Sequence, residues 1–176
     1  RVNLALGESP GRALDEAAAS FLPLPYDCTT IVDIGCGTGR FAKLLYDRGY
    51  TKYWGIDFSK VRISEARRYV PLFEFFVGNV FDDWVNERLN KYNTFILLEV
   101  LEHVNDDVKL LSTLPSDSRI IFSVPNYDSG SHVRFFPITD DVVRRYKKIL
   151  QFLDEISLKN VRRQRRDKRI YLFNCI

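Results

Sequence analysis

Short apolar runs recur along the chain at 30–34 (TIVDI), 52–56 (KYWGI), 73–77 (FEFFV), 94–98 (TFILL) and 119–124 (RIIFSV). Each is rich in β-branched or aromatic residues and predicts a strand. Residues 11–22 and 38–48 carry helical spacing; in the second, Phe41, Leu44 and Leu45 fall at i, i+3 and i+4. Residues 59–69, 82–90 and 105–113 suit helices, with Ser59 as an N-cap. Near-continuous apolar strands alternating with helices predict a parallel sheet covered on both faces. After residue 137 the pattern changes. Residues 138–150 suit a helix, then 151–157 and 168–176 read as two strands joined by a basic loop. Two strands joined without a helix add an antiparallel pair at the sheet edge.

The chain has 176 residues, 45% hydrophobic and 28% charged, which fits one soluble domain with a sizeable core. No apolar run approaches the ~20 residues needed to span a bilayer. The N-terminus, RVNLALGESPG, has no signal-peptide pattern. Cys28, Cys36 and Cys175 form no C-x-x-C pair or disulfide framework, so a reduced, cytoplasmic chain is expected. There is no methionine at any position, as expected of a fragment or of a sequence lacking some residues.

The net charge of +3 does not by itself point to nucleic acid. The basic residues do cluster in 159–169, KNVRRQRRDKR: Lys159, Arg162, Arg163, Arg165, Arg166, Lys168 and Arg169. One reading is a phosphate contact, hence RNA or a nucleotide-bearing substrate. The preferred reading is a solvated hairpin, because no aromatic interleaves the basic residues to stack on bases.

Residues 31–41, IVDIGCGTGRF, place Gly35, Gly37 and Gly39 straight after the first strand. Glycines there let a ligand approach the backbone without meeting a Cβ. The spacing is G-x-G-x-G, whereas a dinucleotide fingerprint is G-x-G-x-x-G, and Arg40 stands where its third glycine would be. Asp33 adds negative charge unsuited to a pyrophosphate and suited to an ammonium group, such as that of S-adenosylmethionine. Asp57 ends the second strand 18 residues after Gly39, close to the offset of an acid that binds ribose hydroxyls.

VDIGCGTGRFAKLL, GIDFS, FVGNVFD, LLEVLEHV and SVPN occur in the order of the motifs of class I S-adenosylmethionine-dependent methyltransferases, which the chain resembles over residues 27–137. The resemblance implies a Rossmann-like three-layer α/β sandwich, with a mainly parallel seven-stranded sheet whose last strand is antiparallel. It implies S-adenosyl-L-methionine as cofactor. Asp33 and Gly35 would face the methionine portion, Asp57 the ribose, and Asn79 and Val80 the adenine edge, with Cys36, Gly37 and Gly39 also in the cofactor-binding set. Phe58 and Phe81 could sandwich the ring. The family commonly has an acid where this chain has Asn79. Glu99, at the end of the fourth strand, joins the cofactor-binding set.

Methyl transfer to oxygen or nitrogen needs the acceptor placed near the methyl group and can need its proton removed. The two histidines, His103 and His132, follow the fourth and fifth strands and are the candidate catalytic residues. Adjacent strand ends could bring them together. Glu99 and His103 are four apart and would share a face on a helix. An alternative is that Glu99, Glu102, His103 and His132 ligate a divalent metal. The E-x-x-E-H pattern resembles the metal motif of small-RNA 2′-O-methyltransferases and a motif of ubiquinone-pathway O-methyltransferases. Metal ligation is not the favoured reading. Arg134, Phe135 and Phe136 could line an acceptor pocket or pack a loop over the sheet.

The expectation is one methyltransferase domain over 1–176. Residues 1–26 would cover the cofactor, 27–137 form the cofactor-binding core, and 138–176 supply a helix and a strand pair. A small-molecule acceptor is preferred, because no recognition domain is added. RNA is second, a cofactor-binding regulatory module without turnover third, and an NAD-dependent oxidoreductase fourth. No membrane partner is expected.

Overall fold

The structure is a computed structural model and describes residues 10–25, 28–159 and 168–176. Its helices are α1 (Pro10–Ser20), α2 (Arg40–Asp47), α3 (Lys60–Tyr69), α4 (Asp83–Leu89), α5 (Asp107–Ser112) and α6 (Thr139–Tyr146). Its strands are β1 (Ile31–Ile34), β2 (Tyr53–Asp57), β3 (Glu74–Val77), β4 (Thr94–Leu98), β5 (Arg119–Pro125), β6 (Phe152–Lys159) and β7 (Arg169–Cys175).

All seven strands join one sheet in the order β3-β2-β1-β4-β5-β7-β6. β1 to β5 pair in parallel, whereas β7 runs antiparallel to both β5 and β6. The strand order reverses between β1 and β4, and ligands of open α/β sheets bind outside the carboxyl ends at such a point.

Side chains alternate across the sheet and build two cores. On one face Ile31, Ile96 and Ile121 pack with Leu14 and Ala18 of α1, Phe41 and Leu45 of α2, and Ile63 and Ala66 of α3. On the other, Val32, Trp54, Phe95 and Phe122 pack with Val85 and Leu89 of α4, Leu110 of α5, and Val142 and Tyr146 of α6. β1, β2 and β4 are covered on both faces, which is why these strands read as near-continuous apolar runs.

Local signals set the helix starts. Ser59 caps α3 by accepting from Arg62 N–H. α6 ends earlier than its apolar spacing predicts. Leu150 N–H turns back to Tyr146 O at 2.9 Å, and the chain tightens into a turn that delivers it to β6. β6 is half-exposed at the sheet edge, as a solvated strand should be. Most of the basic loop, residues 160–167, lies outside the described residues.

Candidate functional site

The glycine loop is held by backbone bonds to β2. Gly35 N–H and Cys36 N–H both donate to Ile56 O, at 2.8 and 3.1 Å. Gly35 has φ 75°, and a Cβ there would fall 2.6 Å from Val100 Cγ2, so the position requires glycine. Gly37 N–H donates to Asp57 Oδ2 at 3.1 Å, and Ser59 N–H donates to Asp57 Oδ1 at 2.8 Å. Asp57 is fixed at both oxygens, and each keeps a lone pair for a ligand hydroxyl. Gly39 serves packing instead. A Cβ there would lie 3.2 Å from Ala66 Cα, so its absence lets α2 approach α3; Gly39 lines neither cleft described next.

Two clefts meet at Gly35 and Arg62, which border both. The smaller, about 290 Å³, is lined by Asp15, Asp33, Cys36, Gly37, Thr38 and Arg40, among others. The larger, about 700 Å³, runs from Asp57 and Phe58 past Asn79, Val80 and Phe81 to Glu99 and His103. That volume is within the range of small-molecule sites. All of the expected cofactor-binding positions except Gly39 line one cleft or the other.

Asp33 is buried, and the Tyr53 hydroxyl donates to its Oδ2 at 2.7 Å. Burial pushes its pKa up to about 7, and the charges of Asp15 and Asp57 push the same way. A cation brought into this cleft would offset that cost. Arg40 Nε and Nη2 donate to the Asp15 carboxylate at 2.5 and 3.0 Å, which ties α1 to the glycine loop and sets Asp15 on the rim. Asn79 accepts from Phe81 N–H at 3.1 Å, so part of its acceptor capacity is used within its own turn. Phe58 is 83% exposed, while Phe81 packs against the core; both line the larger cleft.

The end of β4 departs from expectation. Glu99 has φ 57°, a left-handed conformation, and only Leu101–His103 form a short 3₁₀ turn. Glu99 and His103 therefore do not share a helix face. Instead Ser123 on β5 holds Glu99: Glu99 N–H donates to Ser123 Oγ at 2.9 Å, and Ser123 O–H donates to Glu99 Oε1 at 2.9 Å. Glu102 is fully buried, and neither carboxylate oxygen has a hydrogen-bond partner. Burial raises the pKa of both acids, and Glu99 raises Glu102 further by repulsion.

The two histidines do meet. Their rings lie edge to face with centroids 5.0 Å apart. His103 Nδ1 is 2.9 Å from Ser131 O, and His132 Nδ1 is 3.2 Å from Tyr127 O.

The residues next to His132 serve the fold. Arg134 donates to Leu101 O and Asn105 O, at 2.5 and 2.9 Å, and to Val104 O. Its Nε also lies 3.4 Å from the buried Asp107, which Arg145 and the Tyr146 hydroxyl grip as well. Phe136 is buried in the core, while Phe135 is exposed. Arg134 and Phe136 thus fasten the loop carrying His132 to the turn carrying His103. Tyr53 and Arg62 join the site unannounced by any motif; Ser123 opens the SVPN motif, but its bonds to Glu99 follow only from the pairing of β4 with β5.

A family model described as "Methyltransferase domain" matches residues 6–165. Solved structures share the fold at low identity. The magnesium protoporphyrin IX methyltransferase of Synechocystis PCC 6803, solved with bound S-adenosylhomocysteine, is 17% identical with a TM-score of 0.67, over 93% of this chain and 81% of that one. An S-adenosylmethionine-dependent methyltransferase from Mesorhizobium loti is 16% identical with a TM-score of 0.65, over 96% and 100%. The [4+2]-cyclase SpnF is 12% identical with a TM-score of 0.72, over 98% and 85%. The last of these names a different chemistry on the same fold, so function must be argued from the site.

Proposed function

The chain belongs to the methyltransferase-domain family and is an S-adenosylmethionine-dependent methyltransferase of the class I, Rossmann-like type; on that premise we propose that it methylates an oxygen or nitrogen of a small molecule in the larger cleft. One observation carries the reading. A single groove runs from Asp57, a carboxylate with lone pairs free for ribose hydroxyls, past Glu99 to the imidazole of His103. Cofactor and acceptor ends are thereby joined within one cleft of about 700 Å³.

S-adenosylmethionine supplies, when bound, a methyl carbon on a sulfonium that is open to in-line displacement. The donor set suits it. Asp33, buried and short of positive charge, faces the ammonium group. Gly35 and Gly37 leave the loop backbone bare, with Cys36 between them in the cleft wall. Asp57 accepts from the ribose. Asn79 and Val80 border the adenine edge, and Phe58 and Phe81 its faces. His103 and His132 hold the acceptor and draw off its proton. Residues 1–176 act as a single domain, in which the described part of the N-terminal segment, residues 10–25, covers the methionine side through α1 and Asp15.

A second reading, an acceptor bearing phosphates such as RNA, has one observation in its favour. β6 ends and β7 begins at the carboxyl ends of the parallel strands, the same end of the sheet as the glycine loop. Just before β7, Lys168 Nζ lies 4.3 Å from the Tyr127 ring centroid, and Tyr127 lies 5.9 Å from His132.

The test is transfer of labelled methyl from S-adenosylmethionine into a cell extract split into RNA, protein and small molecules. Label in the small-molecule fraction is expected. Label in RNA would replace the first reading by the second. No label, with S-adenosylhomocysteine binding established, would make the chain a binding module.

A further inference from the structure

Two acids and two arginines line the smaller cleft: Asp15, Asp33, Arg40 and Arg62. They are not paired evenly. Arg40 donates twice to the Asp15 carboxylate, so those two charges balance within the protein. Asp33 and Arg62 are left over. Asp33 is buried on β1, and its one side-chain donor is the neutral Tyr53 hydroxyl. Arg62 is exposed, and among the described residues its guanidinium has no hydrogen bond or ion pair.

The helix that carries Arg62 gains nothing from its charge. Arg62 stands in the first turn of α3, the positive end of the helix dipole, where a cation is unfavourable. No acid in that turn offsets it. Its backbone, by contrast, is well anchored. Arg62 N–H donates to Ser59 Oγ at 3.4 Å, and Ser59 N–H donates to Asp57 Oδ1 at 2.8 Å. The side chain thus starts from a turn built on the acid assigned to the ribose. From there it borders both clefts, as Gly35 does.

We propose that Arg62 binds the carboxylate of the cofactor's methionine end and so makes the chain select S-adenosylmethionine over its decarboxylated form. An α-amino acid carries a cation and an anion on one carbon. The cleft holds an unbalanced complement for each, Asp33 for the ammonium and Arg62 for the carboxylate. A guanidinium is a planar fork of donors that matches the two oxygens of a carboxylate. Arg40 cannot serve equally, because its fork is already spent on Asp15. This role rests on the methyltransferase reading and narrows it. Holding the amino acid at both groups orients the chain that carries the sulfonium, and in-line transfer depends on that orientation.

The experiment is calorimetry on the whole chain with S-adenosylhomocysteine and with its decarboxylated analogue, which keeps the adenosine and the amine. The wild-type chain should prefer S-adenosylhomocysteine at least about tenfold. Arg62→Ala should lose that preference by binding S-adenosylhomocysteine about tenfold more weakly, while its affinity for the analogue stays that of the wild type and reports that it folds. Arg62→Lys should regain part of the preference, because the charge returns without the fork. Equal wild-type affinity for the two ligands overturns the assignment. So does unchanged S-adenosylhomocysteine affinity in Arg62→Ala, an equal loss for both ligands, or a preference abolished by Arg40→Ala and kept by Arg62→Ala. In each of these cases the chain still binds an adenosyl ligand, and only the role of Arg62 falls. A wild-type chain that binds neither ligand overturns the methyltransferase reading and this role together.

Discussion

Gly37 N–H and the Asp57 carboxylate meet at 3.1 Å, so the acid proposed to hold the ribose also holds the glycine loop in place. Ser59 N–H occupies the other oxygen. Replacing Asp57 by alanine removes a ligand acceptor and releases two N–H groups at once. Hydrogen bonds to charged groups are worth about 1.5–3 kcal/mol. Asp57→Ala should weaken S-adenosylhomocysteine binding at least about tenfold, measured by calorimetry. Unchanged affinity would remove Asp57 from the site.

Gly35→Ala is expected to damage both binding and stability. A left-handed backbone costs an L-residue roughly 1–2 kcal/mol. The added methyl would also lie 2.6 Å from Val100 Cγ2 and force β4's end to move. Denaturant unfolding should report the lost stability, and cofactor affinity should fall with it.

Asp33 gives the cofactor site a pH dependence. Its pKa in the free protein is raised to about 7, so at pH 6 most chains carry a neutral acid there. Binding an ammonium group favours the carboxylate and releases a proton. Affinity for S-adenosylhomocysteine should therefore rise as pH climbs through about 7 and fall only at higher pH, once the ligand's own amine deprotonates. Asp33→Asn should bind more weakly and flatten the rising limb. The same shift acts on the free chain in the opposite sense. Between about 4 and 7 the unfolded acid has lost its proton while the folded one keeps it, so this group's contribution to stability declines as pH rises.

His103→Ala and His132→Ala should separate chemistry from cofactor binding. Neither ring contacts the glycine loop, so S-adenosylhomocysteine affinity should stay within a few-fold. Turnover, once an acceptor is found, should fall by about 10²–10⁴. A comparable loss of cofactor affinity would mean that the histidines only shape the cleft.

Much of the fold, and of what lines the clefts, is legible in the sequence. The strands are legible because both sheet faces are covered, which makes β1, β2 and β4 near-continuous apolar runs. The alternating glycines and Asp57 were legible because the loop needs a bare backbone and a strand-end acid at fixed spacings. What escaped depended on register or on one dihedral angle. Tyr53 finds Asp33 only through the parallel pairing of β1 with β2. Glu99 leaves its expected face because of a positive φ stabilised by Ser123, a residue 24 positions away in sequence on the neighbouring strand. Gly39 sits within the motif yet exists for the contact with Ala66. Arg134 sits beside His132 and binds three carbonyls of the His103 turn, a role no local pattern encodes.

The most direct measurement is calorimetric titration of the chain with S-adenosylhomocysteine, set against NADH under the same conditions. One equivalent of S-adenosylhomocysteine binding with clear preference is the predicted result, because the loop offers Asp33 to an ammonium and Arg40 where a dinucleotide site needs glycine. Preferential binding of NADH would contradict the account at its root.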